Sequence, residues 1–116
     1  MTRVVIVDDE SEFREWLRSL LGNDADFNMI GEAGTGDEAV KIISELETDL
    51  VILDVFLPDW DGFEIVKYIQ QHYPHIKTVL ISAYNDTVYQ RLTREVGGLT
   101  FIPKDSFNLN ALYQVP

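Results

Sequence analysis

Five short strand-like runs alternate along the chain with segments whose apolar residues recur at the spacing of an amphipathic helix. The strand-like runs cover residues 4–7, 27–33, 50–53, 79–81 and 99–102, of which 27–33 has a weaker apolar pattern, and the helical patterns cover residues 11–21, 37–46, 63–73, 87–96 and 108–115. Short, continuously apolar strands separated by helices are typical of a parallel sheet that helices cover on both faces. The sequence therefore predicts an α/β fold, a doubly wound (βα)5 sandwich.

The length and composition of the chain fit one domain. The 116 residues, 46% of them hydrophobic, are enough to bury one core and too few for two ordinary domains. No linker, internal repeat or low-complexity segment interrupts the alternation of strands and helices. We therefore predict a single domain over residues 1–116.

The charge and the residue types exclude several classes of function. A formal net charge of −11 makes direct binding to nucleic acid or to an anionic membrane unfavourable. The absence of cysteine removes disulfides, zinc–thiolate sites and cysteine nucleophiles. No apolar run reaches transmembrane length, and the first residues lack the apolar core of a signal peptide. We expect a cytoplasmic location.

Two of the predicted strands end in carboxylates. The run "VVIVDDE" places Asp8 and Asp9 after the first strand, and "LVILD" places Asp54 after the third. Ser82 and Lys104 follow the fourth and fifth strands. Because ligands of open parallel sheets bind outside the carboxyl ends of the strands, we expect these five side chains to line one crevice.

Three carboxylates in one crevice need a cation. At a separation of about 4 Å and an effective dielectric near 20, each like-charged pair costs on the order of 4 kcal/mol. Oxygen ligands without His or Cys favour a hard ion, Mg²⁺ before Ca²⁺. Lys104 and Ser82 add a positive charge and a hydroxyl that suit the oxygens of a phosphoryl group. An aspartate beside Mg²⁺ can attack phosphorus and form an aspartyl phosphate.

Four segments together resemble the receiver domain of bacterial two-component response regulators: "VVIVDDE", "LVILDVFLPDWDG", "VLISAY" and "GGLTFIPKD". The resemblance extends over nearly the whole chain, and it implies a flavodoxin-like sheet with strand order 2-1-3-4-5. It implies that Asp54 accepts a phosphoryl group from a sensor histidine kinase. It also implies that Asp8, Asp9, Asp54 and the backbone carbonyl of Phe56 bind Mg²⁺.

The same resemblance assigns the remaining positions of the switch. Ser82 matches the hydroxyl residue that follows the phosphoryl group inward, Lys104 the lysine that pairs with it, and Phe101 the switch aromatic. Pro103 departs from the family pattern because many relatives carry proline after the lysine instead. The resemblance implies a signalling switch and not a turnover enzyme. Its signal would reach a partner, a second copy or a transcriptional output domain through the 87–115 face.

Two motifs resemble those of other protein classes but fit them poorly. The segment "GTGDEA" fits a dinucleotide fingerprint, but it stands at the second βα turn, and Asp37 and Glu38 would repel a pyrophosphate. A Mg²⁺-dependent aspartyl-phosphate phosphatase usually has a second acid two residues after the nucleophile, where this chain has Phe56. A flavodoxin-type carrier of a flavin or dinucleotide remains the alternative class.

Two local predictions concern packing and helix ends. The stripe of Phe13, Trp16 and Leu17 is predicted to lie in the core. Asp59 and Asp61 in "PDWDG" are predicted to be turn and N-cap residues of the helix that begins near residue 63.

Overall fold

The computed structural model describes residues 1–114, and its strands and helices alternate as the sequence predicts. The strands are β1 Thr2–Val7, β2 Phe27–Ala33, β3 Leu50–Asp54, β4 Lys77–Ser82 and β5 Thr100–Pro103. The helices are α1 Ser11–Gly22, α2 Gly36–Glu45, α3 Gly62–His72, α4 Val88–Glu95 and α5 Leu109–Tyr113, with a 3-10 turn at Lys104–Ser106. The predicted last helix extended to Val115, which lies outside the described residues.

The five strands form one parallel sheet in the order β2-β1-β3-β4-β5. This order confirms the flavodoxin-like prediction. Strand β5 lies at an edge, and Pro103 there is paired with Ser82 on β4. An edge strand accommodates proline because the N–H that proline lacks is not needed for a further strand.

Helices cover both faces of the sheet. Because side chains alternate along a strand, Val5 and Val7 of β1 belong to one core cluster while Val4 and Ile6 belong to the other. Helices α2 and α3 close the first cluster, and α1 and α5 close the second. All five residues of the central β3 are buried. The position of Asp54 at the end of this strand is thus fixed by the best-buried part of the sheet.

The predicted core stripe of α1 is wrong in part. Leu17 is fully buried, but Trp16 is 44% exposed and Phe13 is only partly buried. The ring of Trp16 lies 5.4 Å from that of Phe13 and 6.1 Å from that of Phe107, so it covers the edge of the core. Helical spacing identifies the face of a helix, whereas the depth of each side chain depends on the elements that pack around it.

The two acids of "PDWDG" serve different helices. Asp61 is the N-cap of α3, as predicted, and its carboxylate accepts the Phe63 N–H at 2.8 Å. Asp59 instead accepts the backbone N–H groups of Gly36 and Asp37, at 2.8 and 3.0 Å, at the start of α2. The loop after β3 is therefore attached to a neighbouring helix, which local sequence rules do not reveal.

None of the described helices is long and apolar enough to cross a membrane.

Candidate functional site

The carboxyl edge of the sheet brings together the acids that the sequence singled out. Strands β1 and β3 are neighbours in parallel register, with Val7 opposite Leu53. Asp8 and Asp54 are the next residues along these two strands and therefore lie side by side. Carboxylate oxygens of Asp8, Asp9 and Asp54 all lie within 4.8 Å of one another.

Burial differs among the three carboxylates. Asp8 is completely buried, Asp54 is 6% exposed, and Asp9 is exposed. Burial raises the pKa of Asp54 to about 6, and the neighbouring Asp8 charge adds to the shift, while the Phe56 N–H and Lys104 oppose it. Asp54 is thus mostly ionised at neutral pH, yet its negative charge is destabilised in the absence of a further cation.

Lys104 partly neutralises this cluster. Its ammonium lies 2.8 Å from Asp8 Oδ2 and 3.2 Å from Asp54 Oδ2, so one cation bridges both buried carboxylates. Burial disfavours the ammonium, but the Asp8 and Asp54 carboxylates outweigh burial and raise the pKa of Lys104. The ammonium also lies 4.6 Å from the centre of the Phe13 ring, which adds a cation–π contact.

The main chain orients the two buried carboxylates. Asp54 Oδ1 accepts the Phe56 N–H at 3.0 Å, and Asp8 Oδ1 accepts the Glu10 N–H at 2.9 Å. In each residue the other oxygen, Oδ2, contacts Lys104. The carboxylates are therefore held in fixed orientations before any ligand binds.

Two charged residues near the site escaped the sequence analysis. Glu10 Oε1 lies 3.6 Å from Lys104 Nζ, and the third acid of "VVIVDDE" was a visible signal for it. The Arg14 guanidinium donates to the backbone carbonyl of Asp8 and, at 2.9 Å, to Glu32 on β2. Arg14 thereby braces the turn that carries Asp8, a contact that no sequence motif indicates.

Ser82 and Phe101 are buried residues of β4 and β5. Ser82 is fully buried, and its hydroxyl oxygen accepts the Tyr84 N–H at 3.0 Å. Because Asp54 is paired with Ile81 on β4, Ser82 lies one residue further toward the crevice. Phe101 is 2% exposed, and its ring meets the Tyr89 ring edge-on at 5.4 Å.

An aromatic pair stands beside the crevice. The rings of Phe56 and Tyr84 lie 5.8 Å apart in an edge-to-face arrangement. Phe56 is 51% exposed and Tyr84 is 68% exposed. These two residues follow Asp54 and Ser82 by two positions each, and their backbone N–H groups donate to the Asp54 and Ser82 side chains.

The donor set fits a hard divalent cation. Within residues 1–114, three carboxylates converge without a His or Cys ligand, and Lys104 is the cation that pairs with Asp8 and Asp54. A cation that prefers oxygen would relieve the remaining repulsion. The predicted role of the Phe56 carbonyl stays a prediction.

A sequence model of the response regulator receiver domain matches residues 4–115 of this chain. The chain belongs to the response regulator receiver domain family. The fold, the strand order and the convergence of Asp8, Asp9 and Asp54 agree with this membership.

Relatives of known name are longer than this chain. The uncharacterized transcriptional regulatory protein YhcZ of Bacillus subtilis is 31% identical over 104 residues, which cover 90% of this chain and 49% of the relative. The protein-glutamate methylesterase/protein-glutamine glutaminase of Pyrococcus abyssi is 31% identical over 110 residues, 93% of this chain and 30% of the relative. The chain thus spans half or less of the length of these relatives.

Two solved receiver domains have a similar fold. The signal receiver domain of the response regulator NarL from Mycobacterium tuberculosis superposes with a TM-score of 0.89 at 28% identity, covering 97% of this chain and 93% of that one. The isolated receiver domain of RcsB from Salmonella enterica gives a TM-score of 0.85 at 20% identity, which supports the fold alone.

Proposed function

We propose that residues 1–116 form a phosphorylation-controlled signalling switch in which Asp54 accepts a phosphoryl group from a sensor histidine kinase. The observation that carries this proposal is the bridge of Lys104 to both Asp8 and Asp54. From that position the Lys104 ammonium can pair with the Asp54 carboxylate and then with the oxygens of a phosphoryl group attached to it. Family membership supports the same conclusion.

The transfer begins with an ionised Asp54. Its carboxylate oxygen attacks phosphorus, a P–O bond forms, and the P–N bond of the phosphohistidine breaks so that its electrons return to the imidazole. Lys104 donates to the phosphoryl oxygens, and the Ser82 hydroxyl supplies a second donor. Asp8, Asp9, Asp54 and the Phe56 carbonyl would hold Mg²⁺, which supplies positive charge to the phosphoryl oxygens.

The signal leaves the site through buried side chains. Movement of Ser82 toward the phosphoryl group vacates space beside β5, and Phe101 fills it. The 87–115 face then changes shape and offers a surface for a second copy or an output domain. Relatives named as transcriptional regulators favour an output in transcription. With a net charge of −11, this domain itself does not bind DNA.

Binding of beryllium fluoride with Mg²⁺, a stable mimic of the phosphoryl group, tests the proposal. Amide resonances around Asp54 and on the 87–115 face are expected to shift in the wild type only when both reagents are present. Asp54→Asn should not respond, and Asp9→Asn should need at least about tenfold more Mg²⁺. A full response by Asp54→Asn would refute the assignment of the acceptor.

A further inference from the structure

Helix α4 is anchored by few side chains. Thr93 is its one buried residue. Val88 and Leu92 do not form a single apolar stripe along the helix, and both are only partly buried. The Tyr89 ring contacts the Phe101 ring on β5, and the Gln90 amide donates to the Phe101 carbonyl at 2.9 Å. A helix with so little buried apolar surface shifts at low cost in free energy.

Tyr89 is the side chain of α4 that contacts the loop following the phosphoacceptor strand. Its ring lies 6.1 Å from the ring of Phe56, 6.0 Å from that of Phe63 on α3 and 5.4 Å from that of Phe101 on β5. The backbone N–H of Phe56 is the one that donates to Asp54. One ring thus connects a movable helix to the residue that orients the Asp54 carboxylate.

The opposite end of the same loop is fixed. Asp59 binds the first N–H groups of α2, and the Trp60 indole N–H donates to Asp37 at 2.9 Å. Trp60 also covers Gly36 so closely that a Cβ on Gly36 would lie 2.5 Å from the indole ring. Because the Asp59–Trp60 end is attached to α2, we expect a displacement of Tyr89 to be taken up at Phe56.

We propose that Tyr89 is a positioning residue for the phosphoacceptor site and couples occupancy of that site to the position of α4. The inference rests on the proposed function of Asp54. The route runs from Asp54 through Phe56 to Tyr89. It leaves the site at Phe56 and not at Ser82, although the Tyr89 ring also contacts Phe101. Coupling is reciprocal, so a partner that holds α4 in place also changes the affinity of the site for its ligands.

Titration of the full chain with Mg²⁺ in the presence of beryllium fluoride, followed by amide NMR, tests this route. The Phe56 amide measures occupancy of the site, and the amides of α4 measure transmission. In Tyr89→Leu, we expect the affinity for Mg²⁺ to fall roughly threefold to tenfold and the α4 shifts to fall to less than about a third of the wild-type values. Tyr89→Phe keeps the ring and should behave as the wild type.

Two further variants separate positioning from general stability. Val96→Ala weakens the packing of the end of α4 on the same core without touching Phe56, so it should leave the affinity for Mg²⁺ unchanged. Phe56→Leu removes the contact from its other side and should reproduce Tyr89→Leu. The double variant Phe56→Leu/Tyr89→Leu should bind Mg²⁺ no more weakly than either single variant, because both substitutions remove the same contact. If Tyr89→Leu does not fold, the Phe56→Leu variant decides the question. Phe56 is half exposed, so its substitution disturbs the core less.

The outcomes distinguish the two proposals. A wild type that does not respond to Mg²⁺ and beryllium fluoride overturns the proposed function and this inference with it. A wild type that responds, with normal affinity and transmission in Tyr89→Leu or Phe56→Leu, overturns the coupling alone. Loss of affinity in Val96→Ala equal to that in Tyr89→Leu would likewise reduce Tyr89 to a general packing role.

Discussion

The ammonium of Lys104 lies 3.2 Å from the Asp54 carboxylate, and the same ammonium lies 2.8 Å from Asp8. One cation therefore serves two buried anions, and the site keeps a net negative charge. This imbalance is the physical basis for cation binding, for the raised pKa of Asp54 and for the reactivity that we assign to it. Each can be tested separately.

Removal of Lys104 should make the fold dependent on Mg²⁺. Lys104→Met leaves Asp8 and Asp54 without their shared partner, and we expect a loss of roughly 1–3 kcal/mol in the free energy of unfolding in EDTA. Mg²⁺ should restore more stability to this variant than it gives the wild type. Urea titrations with and without Mg²⁺ measure both values, and Lys67→Met, which removes an exposed lysine, is the control. If Mg²⁺ stabilised Lys104→Met and the wild type equally, the claim that Lys104 neutralises both Asp8 and Asp54 would be contradicted.

The stability of the metal-free protein should depend on the ionisation of Asp54. Its pKa is raised from 3.8 to about 6, so the folded state binds a proton at Asp54 more tightly than the unfolded state does. The resulting contribution to the free energy of unfolding is complete below about pH 4 and is lost as the pH rises through 6. Asp54→Asn stays neutral and should gain stability relative to the wild type over this interval. The gain should level off above pH 7 at roughly 1–2 kcal/mol, after allowance for water in the crevice. Thermal unfolding in EDTA from pH 4 to 8 measures it, and a difference independent of pH would disprove the shift.

The aromatic pair Phe56 and Tyr84 should prolong the phosphorylated state. Hydrolysis of an acyl phosphate needs an in-line water and a polar group to orient it, and neither Phe56 nor Tyr84 offers a carboxylate or an amide for this purpose. Phe56→Asn combined with Tyr84→Glu should shorten the lifetime about tenfold or more. Decay of the radiolabelled phosphoprotein measures it, with Tyr113→Phe as a control far from the crevice. A double variant that decays no faster than the wild type would show that other features set the lifetime.

Gly36 should tolerate no side chain. Its Cβ would meet the Trp60 ring at 2.5 Å, so Gly36→Ala should destabilise the protein by about 1–3 kcal/mol. Gly22→Ala is the matched control because a Cβ there meets nothing within 4 Å, and helix propensity predicts a small gain in stability. Chemical denaturation compares the two. A neutral Gly36→Ala would mean that Trp60 is not held over α2 in solution.

The sequence predicted the sheet and the acidic crevice because both follow from local patterns. Continuous aliphatic runs identify buried strands, and parallel strands bring Asp8 and Asp54 to one edge. The exposure of Trp16 could not be predicted in this way, since it depends on how Phe107 and Phe13 pack around it. The attachment of Asp59 to α2 could not be predicted either, because its partners Gly36 and Asp37 are distant in sequence.

The motif "GTGDEA" shows how a tertiary contact decides between two interpretations. From sequence alone, its glycines fit a turn that binds a dinucleotide. In the structure, Asp59 already occupies the first N–H groups of α2, and Trp60 lies against Gly36. A pyrophosphate would need the same N–H groups, so the glycine serves packing here.

Mass spectrometry after incubation with acetyl phosphate and Mg²⁺ tests the central claim most directly. We predict that the wild type gains the mass of one phosphoryl group and that Asp54→Asn gains none. Asp59→Asn, which removes another acid of the same loop, should be modified like the wild type. Modification of Asp54→Asn to the same extent, or its loss in Asp59→Asn alone, would contradict the assignment of Asp54 as the phosphoacceptor.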